Sequence, residues 1–307
     1  MKAEFLSHRR TQRGAALALV LWALFVMITV VVVVMRLVDF DLDLESLASK
    51  RFISRQLAMT GLAYAMHPKI QRDDPLLNQT FPDTTRLEVR ILSEDARLNI
   101  NALLAGGGKA PLQRLFQFWG VSEREAAAAA DSLKDWVDED ETRGLNGAEA
   151  ADLAGQDVSR PENRPFLSVA EMADVRGMAA VEKVKPDWRE FFSVKSSGRL
   201  DYQDAPADFL EVFGLLSREQ ALAFAAFRSG PDGKPGTGDD VVIDSAEKLA
   251  AVVPLTPVQS EAIQSGFGAG SPLKRIESQG YCGGLNYRIS VVAVPGQPRY
   301  LDWMEGP

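Results

Sequence analysis

The chain has 307 residues, with 34 Lys and Arg against 42 Asp and Glu, so its formal net charge is -8. This acidic balance argues against binding to the phosphate backbone of nucleic acids, which requires clustered basic side chains, and it suits divalent cations better. Only two histidines and one cysteine are present. Serine-histidine-aspartate triads, cysteine-histidine pairs and the commoner zinc sites are therefore nearly excluded, and we do not expect an enzyme.

The first predicted element is a helix that spans a membrane. Residues 15–35 form an uncharged apolar run of about 20 residues, which is the length that a helix needs to cross the hydrocarbon layer of a bilayer. Arg9, Arg10 and Arg13 precede this run and acidic residues follow it, so the N-terminus is expected to stay in the cytoplasm. The run is longer than the core of a cleaved secretory signal and lacks its small-residue cleavage site. We expect a single span, with the body of the protein on the far side of the membrane.

The helical pattern continues beyond the membrane segment. Apolar residues keep an approximately helical spacing from Leu37 to Tyr64, and Pro68 ends the pattern. A single helix from Ala15 to about Met66 would be on the order of 75 Å long. Such a helix leaves the membrane before it reaches its folded domain.

The rest of the chain is predicted to be a small sheet interrupted by helices. In "RLEVRIL", which begins at Arg86, apolar and charged residues alternate as in a half-buried strand. From Pro272 onward two or three strands are predicted, joined by Gly-Gly and Pro-Gly-Gln-Pro turns. Between them, 101–266 contains helical patterns separated by proline or glycine. The predicted fold class is α+β, with a large α-helical domain inserted in the sheet region.

The N-terminal segment resembles type IV pilins and pseudopilins. It shares with them a short basic leader, a glycine before the cleavage point in "QRG/AALAL", an apolar first half-helix and an amphipathic second half. In that superfamily a prepilin peptidase cuts after the glycine and methylates the new N-terminus. The resemblance implies cleavage after Gly14 and methylation of Ala15.

Leu19, the fifth residue after that cleavage point, departs from the common pattern. Most members of the superfamily have glutamate there, where its carboxylate neutralises the N-terminal ammonium of a neighbouring subunit inside the membrane. A subunit without this carboxylate is typical of the minor pseudopilin K family of type II secretion. The inserted domain resembles the same family in "SEDARLNINAL", "LKDWVDEDETRGLNGAEAADL" and "RPENRPFLSVAEMADVRGM".

This resemblance implies a pilin-like α+β fold, in which the long N-terminal helix packs on a small antiparallel sheet, together with a domain organisation and a function. The expected segments are a cleaved leader at 1–14, an N-terminal helix at 15–67 with its transmembrane part at 15–35, the first part of a pilin-like sheet at 68–100, the inserted helical domain at 101–266 and the return strands at 267–307. The implied protein is a non-enzymatic minor pseudopilin in the inner membrane, with its body in the periplasm. It would stand at the tip of the pseudopilus and initiate or cap assembly for protein export across the outer membrane. Its partners would be the minor pseudopilins I and J and prepilin peptidase, with no nucleic acid.

An acidic loop is the candidate metal site. In "DWVDEDETRGLNGAE" several carboxylates crowd together at the end of a predicted helix, where the helix dipole also disfavours negative charge, so a cation is expected. Counted from Asp138, oxygen-bearing side chains recur much as in an EF-hand, but Arg143 stands where that loop requires glycine. The family resemblance implies calcium as the cofactor, with Asp138, Asp140, Glu149 and a backbone carbonyl near Leu145 as ligands. The family has a further aspartate directly after the glutamate; this chain has Ala150 there and supplies Asp152 two places later, which we take as the corresponding ligand.

Several alternatives remain open. The competing interpretation of the acidic loop is a solvated turn that binds no metal. The loop "GPDGKPGTGDD", at 230–240, is either a polar hairpin or a second metal site. For the whole chain, the alternative to a pseudopilin is a single-span inner-membrane protein with an unrelated periplasmic calcium-binding domain. A membrane-anchored hydrolase comes third, because its expected histidines are missing.

Overall fold

The computed structural model describes residues 7–82, 85–139, 144–147 and 161–306, and the side chains of this range other than those of 7–15 and 37–46. Within that range the chain forms one long helix, a five-stranded antiparallel sheet and a helical region that lies between two neighbouring strands of the sheet. The predicted α+β fold is confirmed.

Helix α1, Ser7–Ala65, is continuous over 59 residues and about 88 Å long at 1.5 Å per residue. It begins eight residues before the predicted start at Ala15 and ends just before Pro68. Its segment Ala16–Arg36 has a mean hydropathy of 3.1 and no buried residue. Among the described residues, this is the helix that is long and apolar enough to cross a membrane.

The main sheet joins strands from the two ends of the folded body. The strands of the described chain are β1 Asn78–Thr80, β2 Arg86–Ser93, β3 Leu98–Asn99, β4 Phe192–Ser193, β5 Leu200–Asp201, β6 Phe267–Gly268, β7 Lys274–Cys282, β8 Leu285–Ala293 and β9 Tyr300–Gly306. The order in the main sheet is β1-β2-β7-β8-β9, with every pair antiparallel. The β7–β8 hairpin turns through Gly283 and Gly284, whose φ angles of 55° and 83° fit a two-residue turn that requires positive φ.

One face of the main sheet packs against the C-terminal part of α1. Side chains alternate across a strand, so the predicted pattern of Leu87, Val89 and Ile91 in β2 points toward α1 and is buried. These residues share a core with Ala58, Leu62, Ala65, Leu77, Ile276, Ile289 and Val291. The other face of the sheet, which carries Arg275 and Ser290, lines a cleft with the helical region.

Gly280 in β7 allows α1 to approach the sheet closely. A Cβ atom there would overlap the carbonyl oxygen of Ser54 and lie 2.7 Å from Leu57 Cβ. We expect Gly280→Val to push α1 away and to lower the free energy of unfolding by about 3 kcal/mol, measured by chemical denaturation of the full chain in detergent. Gly266→Ala is the matched control, because a Cβ at Gly266 meets nothing within 4 Å. Equal losses in the two variants would contradict this account of the packing.

The helical region occupies the chain between β2 and β7. Its α-helices in the described residues are α2 Ile100–Ala105, α3 Lys109–Phe118, α4 Glu123–Val137, α5 Met178–Val184, α6 Ala207–Val212, α7 Arg218–Arg228, α8 Ala246–Val252 and α9 Pro257–Gly266. One hydrophobic core runs through them, with Phe116, Trp188, Phe192, Phe209 and Phe224 fully buried. The four short strands β3 to β6 also lie in this region and were not predicted from the sequence.

Those short strands show that the region repeats one structural unit. Unit one, 97–193, and unit two, 199–268, each begin with a two-residue strand, continue through helices and end with a two-residue strand that pairs in parallel with the first. The pairs are Leu98 with Phe192 in unit one and Leu200 with Phe267 in unit two. Each unit also contains a serine-capped helix that is followed by a loop rich in aspartate, α4 in unit one and α7 in unit two. The acidic loop after α4 is therefore the counterpart of loop 230–240 after α7.

A buried ion pair joins the main sheet to unit one. Glu94, just after β2, accepts two hydrogen bonds of 2.9 Å from Arg275 in β7, and the two side chains are only 1% and 6% exposed. The Ser193 hydroxyl in β4 donates to the same carboxylate at 2.6 Å. One carboxylate thus connects the sheet with the last strand of unit one.

A second group of charges joins the sheet to unit two. Arg72, between α1 and β1, pairs with Asp204 and, at 3.0 Å, with Asp240. Asp204 also accepts a 2.6 Å hydrogen bond from the backbone N–H of Ser93 in β2. Burial together with the neighbouring Asp204 raises the pKa of Asp201. These contacts fasten unit two to the strand that precedes the helical region.

Candidate functional site

The acidic loop lies at the C-terminal end of α4. Asp131 and Asp135 belong to the last turns of the helix and are 4% and 2% exposed, and Asp138 is the C-cap residue. Carboxylates at this end of a helix face the negative end of the helix dipole. They therefore need donors or cations nearby.

The described part of the loop, 144–147, supplies some of those donors. The backbone N–H of Gly144 lies 3.1 Å from both oxygens of Asp135. Asn146 donates to Asp131 from its backbone N–H at 2.9 Å and from its side chain at 3.0 Å, and Lys109 Nζ lies 2.6 Å from the other oxygen. Asp131 was not among the predicted residues, although its position four residues before Asp135 places both on one helix face.

The loop segment is also held at Gly147. A Cβ there would lie 2.8 Å from Cγ of Asp135, so a larger residue does not fit against the carboxylate. Arg176, which follows the 3-10 turn after the loop, donates to the carbonyl oxygen of Gly147 at 3.2 Å. The backbone of 144–147 is thus fixed between α4 and Arg176.

The charge on Asp131 makes this arrangement pH-dependent. Burial alone would raise the pKa of Asp131, but the hydrogen bonds from Lys109 and Asn146 outweigh burial and hold the pKa below its usual value. A carboxyl group whose pKa is lower in the folded state stabilises the fold above its ordinary pKa, and this contribution is lost as the pH falls through the lowered value.

We expect Asp131→Asn to lower the free energy of unfolding by about 1 kcal/mol at pH 7, because the charge opposite Lys109 is removed. The difference from wild type should shrink as the pH falls below about 4, toward the lowest pH at which the protein folds. Urea denaturation at a series of pH values measures it. Asp187→Asn, at an exposed position, serves as control. A difference that stayed constant with pH would contradict the assigned role of the charge.

Only some of the predicted calcium ligands lie within the residues that the structure describes. Asp138 and Leu145 lie within the described residues, whereas Asp140, Glu149 and Asp152 lie outside them. The Asp138 carboxylate is 3.8 Å from Lys134 Nζ, and Leu145 is 90% exposed. In the described parts of the chain, no group of three or more His, Cys, Asp or Glu side chains could hold a metal ion. Calcium takes about six to eight oxygen ligands, so these donors have the right chemistry but form only part of such a site.

Loop 230–240 is the second candidate metal site from the sequence, and its carboxylates bond to other groups of the protein. Asp239 accepts hydrogen bonds from the backbone N–H of Asp232 at 2.9 Å and from the hydroxyl of Thr237 at 2.8 Å, and these bonds lower its pKa. Asp240 pairs with Arg72. The carboxylates therefore stabilise the loop and its attachment.

The same loop docks on the edge of the main sheet. The carbonyl oxygen of Gly236 accepts a 3.2 Å hydrogen bond from the backbone N–H of Ile91 in β2. Arg90 donates to the carbonyl oxygen of Pro235 at 3.0 and 2.8 Å. These contacts favour a polar hairpin that supports the sheet over a second metal site.

The predicted processing and assembly residues lie elsewhere, on α1. Gly14 and Ala15 are helical and directly precede the apolar segment, and their side chains are outside the description. Leu19 lies within that segment and is 68% exposed. These residues thus belong to α1, whereas the acidic loop belongs to unit one.

Comparison with known proteins bears on both parts of the molecule. Residues 96–186, which cover most of unit one and its acidic loop, match the family model described as "Type II secretion system (T2SS), protein K". A search of the curated proteins found no significant match. Among solved structures, a chain of the GspK-GspI-GspJ complex from the enterotoxigenic Escherichia coli type 2 secretion system shares the fold, with a TM-score of 0.54 and 17% sequence identity over 88% of this chain and 97% of that one. The resemblance inferred from the sequence is confirmed: the chain is similar to protein K of the type II secretion system, in sequence over residues 96–186 and in fold over most of its length.

Proposed function

We propose that the chain is a minor pseudopilin of a bacterial type II secretion system and stands at the tip of the periplasmic pseudopilus. The observation that supports the proposal most is the position of unit one, which matches the protein K family model. It is inserted between two strands of a sheet that packs on a helix long and apolar enough to span a membrane. The solved relative belongs to a complex with GspI and GspJ. By analogy, this chain binds the minor pseudopilins I and J and initiates or caps the assembly that exports proteins across the outer membrane. The role is structural and requires no catalytic step.

Two features support a position at the tip. The chain between β2 and β7 adds two helical units to the small sheet, and this width would obstruct a further subunit above it. Leu19 offers no carboxylate to the N-terminal ammonium of a neighbouring subunit, so it cannot make the ion pair that other pseudopilins form inside the membrane. Both features suit a subunit that has neighbours on one side only.

The surface beside α1 suits contact with I and J. Phe52 is 63% exposed and lies, with Arg51 and Arg55, in an open groove of about 480 Å³ between α1 and the last strands of the sheet. Tyr287 and Glu305 form the opposite wall. Aromatic residues and arginine are enriched at protein interfaces, and this groove contains both. We place the helices of I and J along this groove.

Processing and topology follow from the same proposal. Prepilin peptidase cuts after Gly14 on the cytoplasmic side and methylates Ala15, and the helix then remains in the inner membrane with the body in the periplasm. The basic residues before the apolar segment support this orientation. Mass spectrometry of the protein extracted from membranes tests it. An intact Met1–Gly14 leader in cells that contain prepilin peptidase would contradict the pseudopilin assignment.

Calcium binding at the acidic loop is part of the proposal. The support is the family resemblance of the loop, the crowded carboxylates at the end of α4 and the fixed backbone of 144–147 beside them. Asp138, Asp140 and Glu149 are the proposed side-chain ligands, with the carbonyl near Leu145 and Asp152 completing the set. A bound cation would offset the repulsion among these groups and tie the loop to α4.

Co-purification tests the assignment most directly. The full chain, co-expressed with the minor pseudopilins I and J and extracted in mild detergent, is expected to elute with both in a single complex. An unrelated single-span membrane protein with an acidic periplasmic domain, expressed in the same way, is the control. Separate elution under conditions in which I and J bind each other would favour the alternative of a calcium-binding membrane protein outside the secretion system.

The role of Leu19 is open to a single substitution. We expect Leu19→Glu to leave thermal unfolding of the body unchanged and to alter co-purification and secretion, because the new carboxylate needs a partner within the membrane. Leu19→Ala, which adds no charge, is the matched control. Wild-type assembly and secretion in the glutamate variant would argue against a special role for this position.

A further inference from the structure

An open cleft of about 610 Å³ separates the main sheet from unit one, on the side away from α1. Its sheet wall includes Ser290 in β8 and Leu301 and Met304 in β9. Its other wall comes from unit one and includes Leu167, Val194 and the buried ring of Phe192. The volume lies in the range that is typical of ligand-binding clefts.

The strand at the mouth of the cleft has an unpaired edge. β9 is the last strand in the order of the main sheet, and among the described residues no strand pairs with its outer side. Its apolar side chains are unusually exposed, with Tyr300 at 44%, Leu301 at 39% and Met304 at 53%. An open edge of this kind readily accepts another strand, whose backbone hydrogen bonds give affinity while alternate side chains fill pockets.

Three of the arginines in the cleft are already paired. Arg275 pairs with Glu94, and Arg288 lies 2.8 Å from Glu277. Arg189 lies 2.9 Å from Glu182, which is outside the cleft. Their positive charges are therefore largely balanced by carboxylates of the same chain.

Arg97 differs from these arginines. Within the described parts of the chain its guanidinium group makes neither a side-chain hydrogen bond nor an ion pair, although it lines the cleft. Burial, with repulsion from Arg275, lowers the pKa of Arg97 to about 10, and the carboxylates of Glu94, Glu277 and Glu190 offset this only in part. The guanidinium group thus remains charged at neutral pH and has donors to spare.

We propose that this cleft binds an extended segment of a partner protein, which pairs with the free edge of β9 and places a carboxylate side chain on Arg97. The strand edge and the exposed Leu301 and Met304 select an extended chain with apolar residues. The unpaired guanidinium selects an acidic side chain, because it presents a planar fork of donors that matches a carboxylate. Asp302 and Glu190 also line the cleft, so the segment carries its acidic residue only at the position that meets Arg97. The cleft borders the groove beside α1 and shares Glu305 and Gly306 with it, whereas Arg97, Leu301 and Met304 line the cleft alone. The proposal does not depend on the assignment to secretion.

Selection from a library of linear octapeptides tests the proposal. The full chain in detergent micelles is the target, and the Arg97→Gln variant is used for counter-selection. We expect the retained peptides to share one Asp or Glu flanked by apolar, strand-forming residues. Retained peptides without a common acidic residue, or a failure to retain any, would overturn the proposal.

Calorimetry on one selected peptide then isolates the role of the carboxylate. Exchange of its acidic residue for the matching amide should weaken binding to wild type about tenfold, and should make no difference with the Arg97→Gln protein. Arg124→Gln, at an exposed arginine on α4 outside the cleft, is the control and should bind like wild type. Met304→Asp should weaken the binding of both peptides, because it removes an apolar contact. If Arg97→Gln bound both peptides as wild type does, the assigned site would be wrong; unchanged thermal unfolding of the variant excludes misfolding as the cause of any loss.

Discussion

Arg275→Met is expected to lower the free energy of unfolding by about 3–5 kcal/mol, because the substitution leaves Glu94 charged and buried. Glu94 is 1% exposed and would retain only the hydrogen bond from Ser193. The partners come from β7 and from the turn after β2, 181 positions apart in the chain, so their loss should also loosen unit one from the sheet. Chemical denaturation of the full chain in detergent, followed by circular dichroism, measures the change.

Two further variants separate this effect from a general loss of charge. Arg288→Met removes an arginine from the same face of the sheet, but Arg288 is 47% exposed, so we expect a loss of less than about 1 kcal/mol. The double variant Glu94→Leu with Arg275→Met leaves no buried charge and should recover much of the stability lost in the single variant. A single variant as stable as Arg288→Met would show that the buried pair contributes little.

Sequence periodicity was sufficient to predict the helix and strands that pack one face against an apolar core. The alternation of Leu87, Val89 and Ile91 predicted β2, and the Gly-Gly pair predicted the β7–β8 hairpin, because both patterns act over a few neighbouring residues. The long helix was predicted for the same reason. Its start was placed at Ala15 rather than Ser7, since the polar residues of the leader carry no apolar period.

The repeat within the helical region could not be found from periodicity. Its defining strands are two residues long, and a parallel pair such as Leu98 with Phe192 joins positions far apart in the chain. In the sequence the repeat is marked by Arg-Leu-Asn at 97–99 and Arg-Leu-Asp at 199–201, which begin the two units.

The charge pattern of the sequence predicts the candidate site, but it does not predict how the side chains of the site contact each other. The crowding of carboxylates after α4 indicates the loop, whereas Asp131 lies earlier in the helix, where an aspartate usually belongs to a solvated face. Its contacts with Lys109 and Asn146 depend on how α3 and the loop pack, which local sequence does not encode. The ligand roles of Asp140, Glu149 and Asp152 stay predictions.

Calcium is expected to stabilise the full chain and to do so through the acidic loop of unit one. At a calcium concentration about 100 times the dissociation constant, binding to the folded state contributes about 2.7 kcal/mol, which corresponds to a rise of roughly 5–10 °C in unfolding temperature. The double variant Asp140→Asn with Glu149→Gln should lose this rise, because it removes two carboxylates from the proposed site. Thermal unfolding in calcium and in chelator measures the effect.

Loop 230–240 provides the matched control, since it holds the equivalent position in unit two. Asp232→Asn with Asp239→Asn removes the same number of charges from a loop where Asp239 already bonds to Thr237 and to the backbone of Asp232. We expect this variant to keep the full calcium response while losing some stability in chelator. Loss of the response here, with its retention in the acidic-loop variant, would move the cation to unit two. No response in wild type would leave the acidic loop a solvated turn, fixed by Asp131 and Asp135 without a metal.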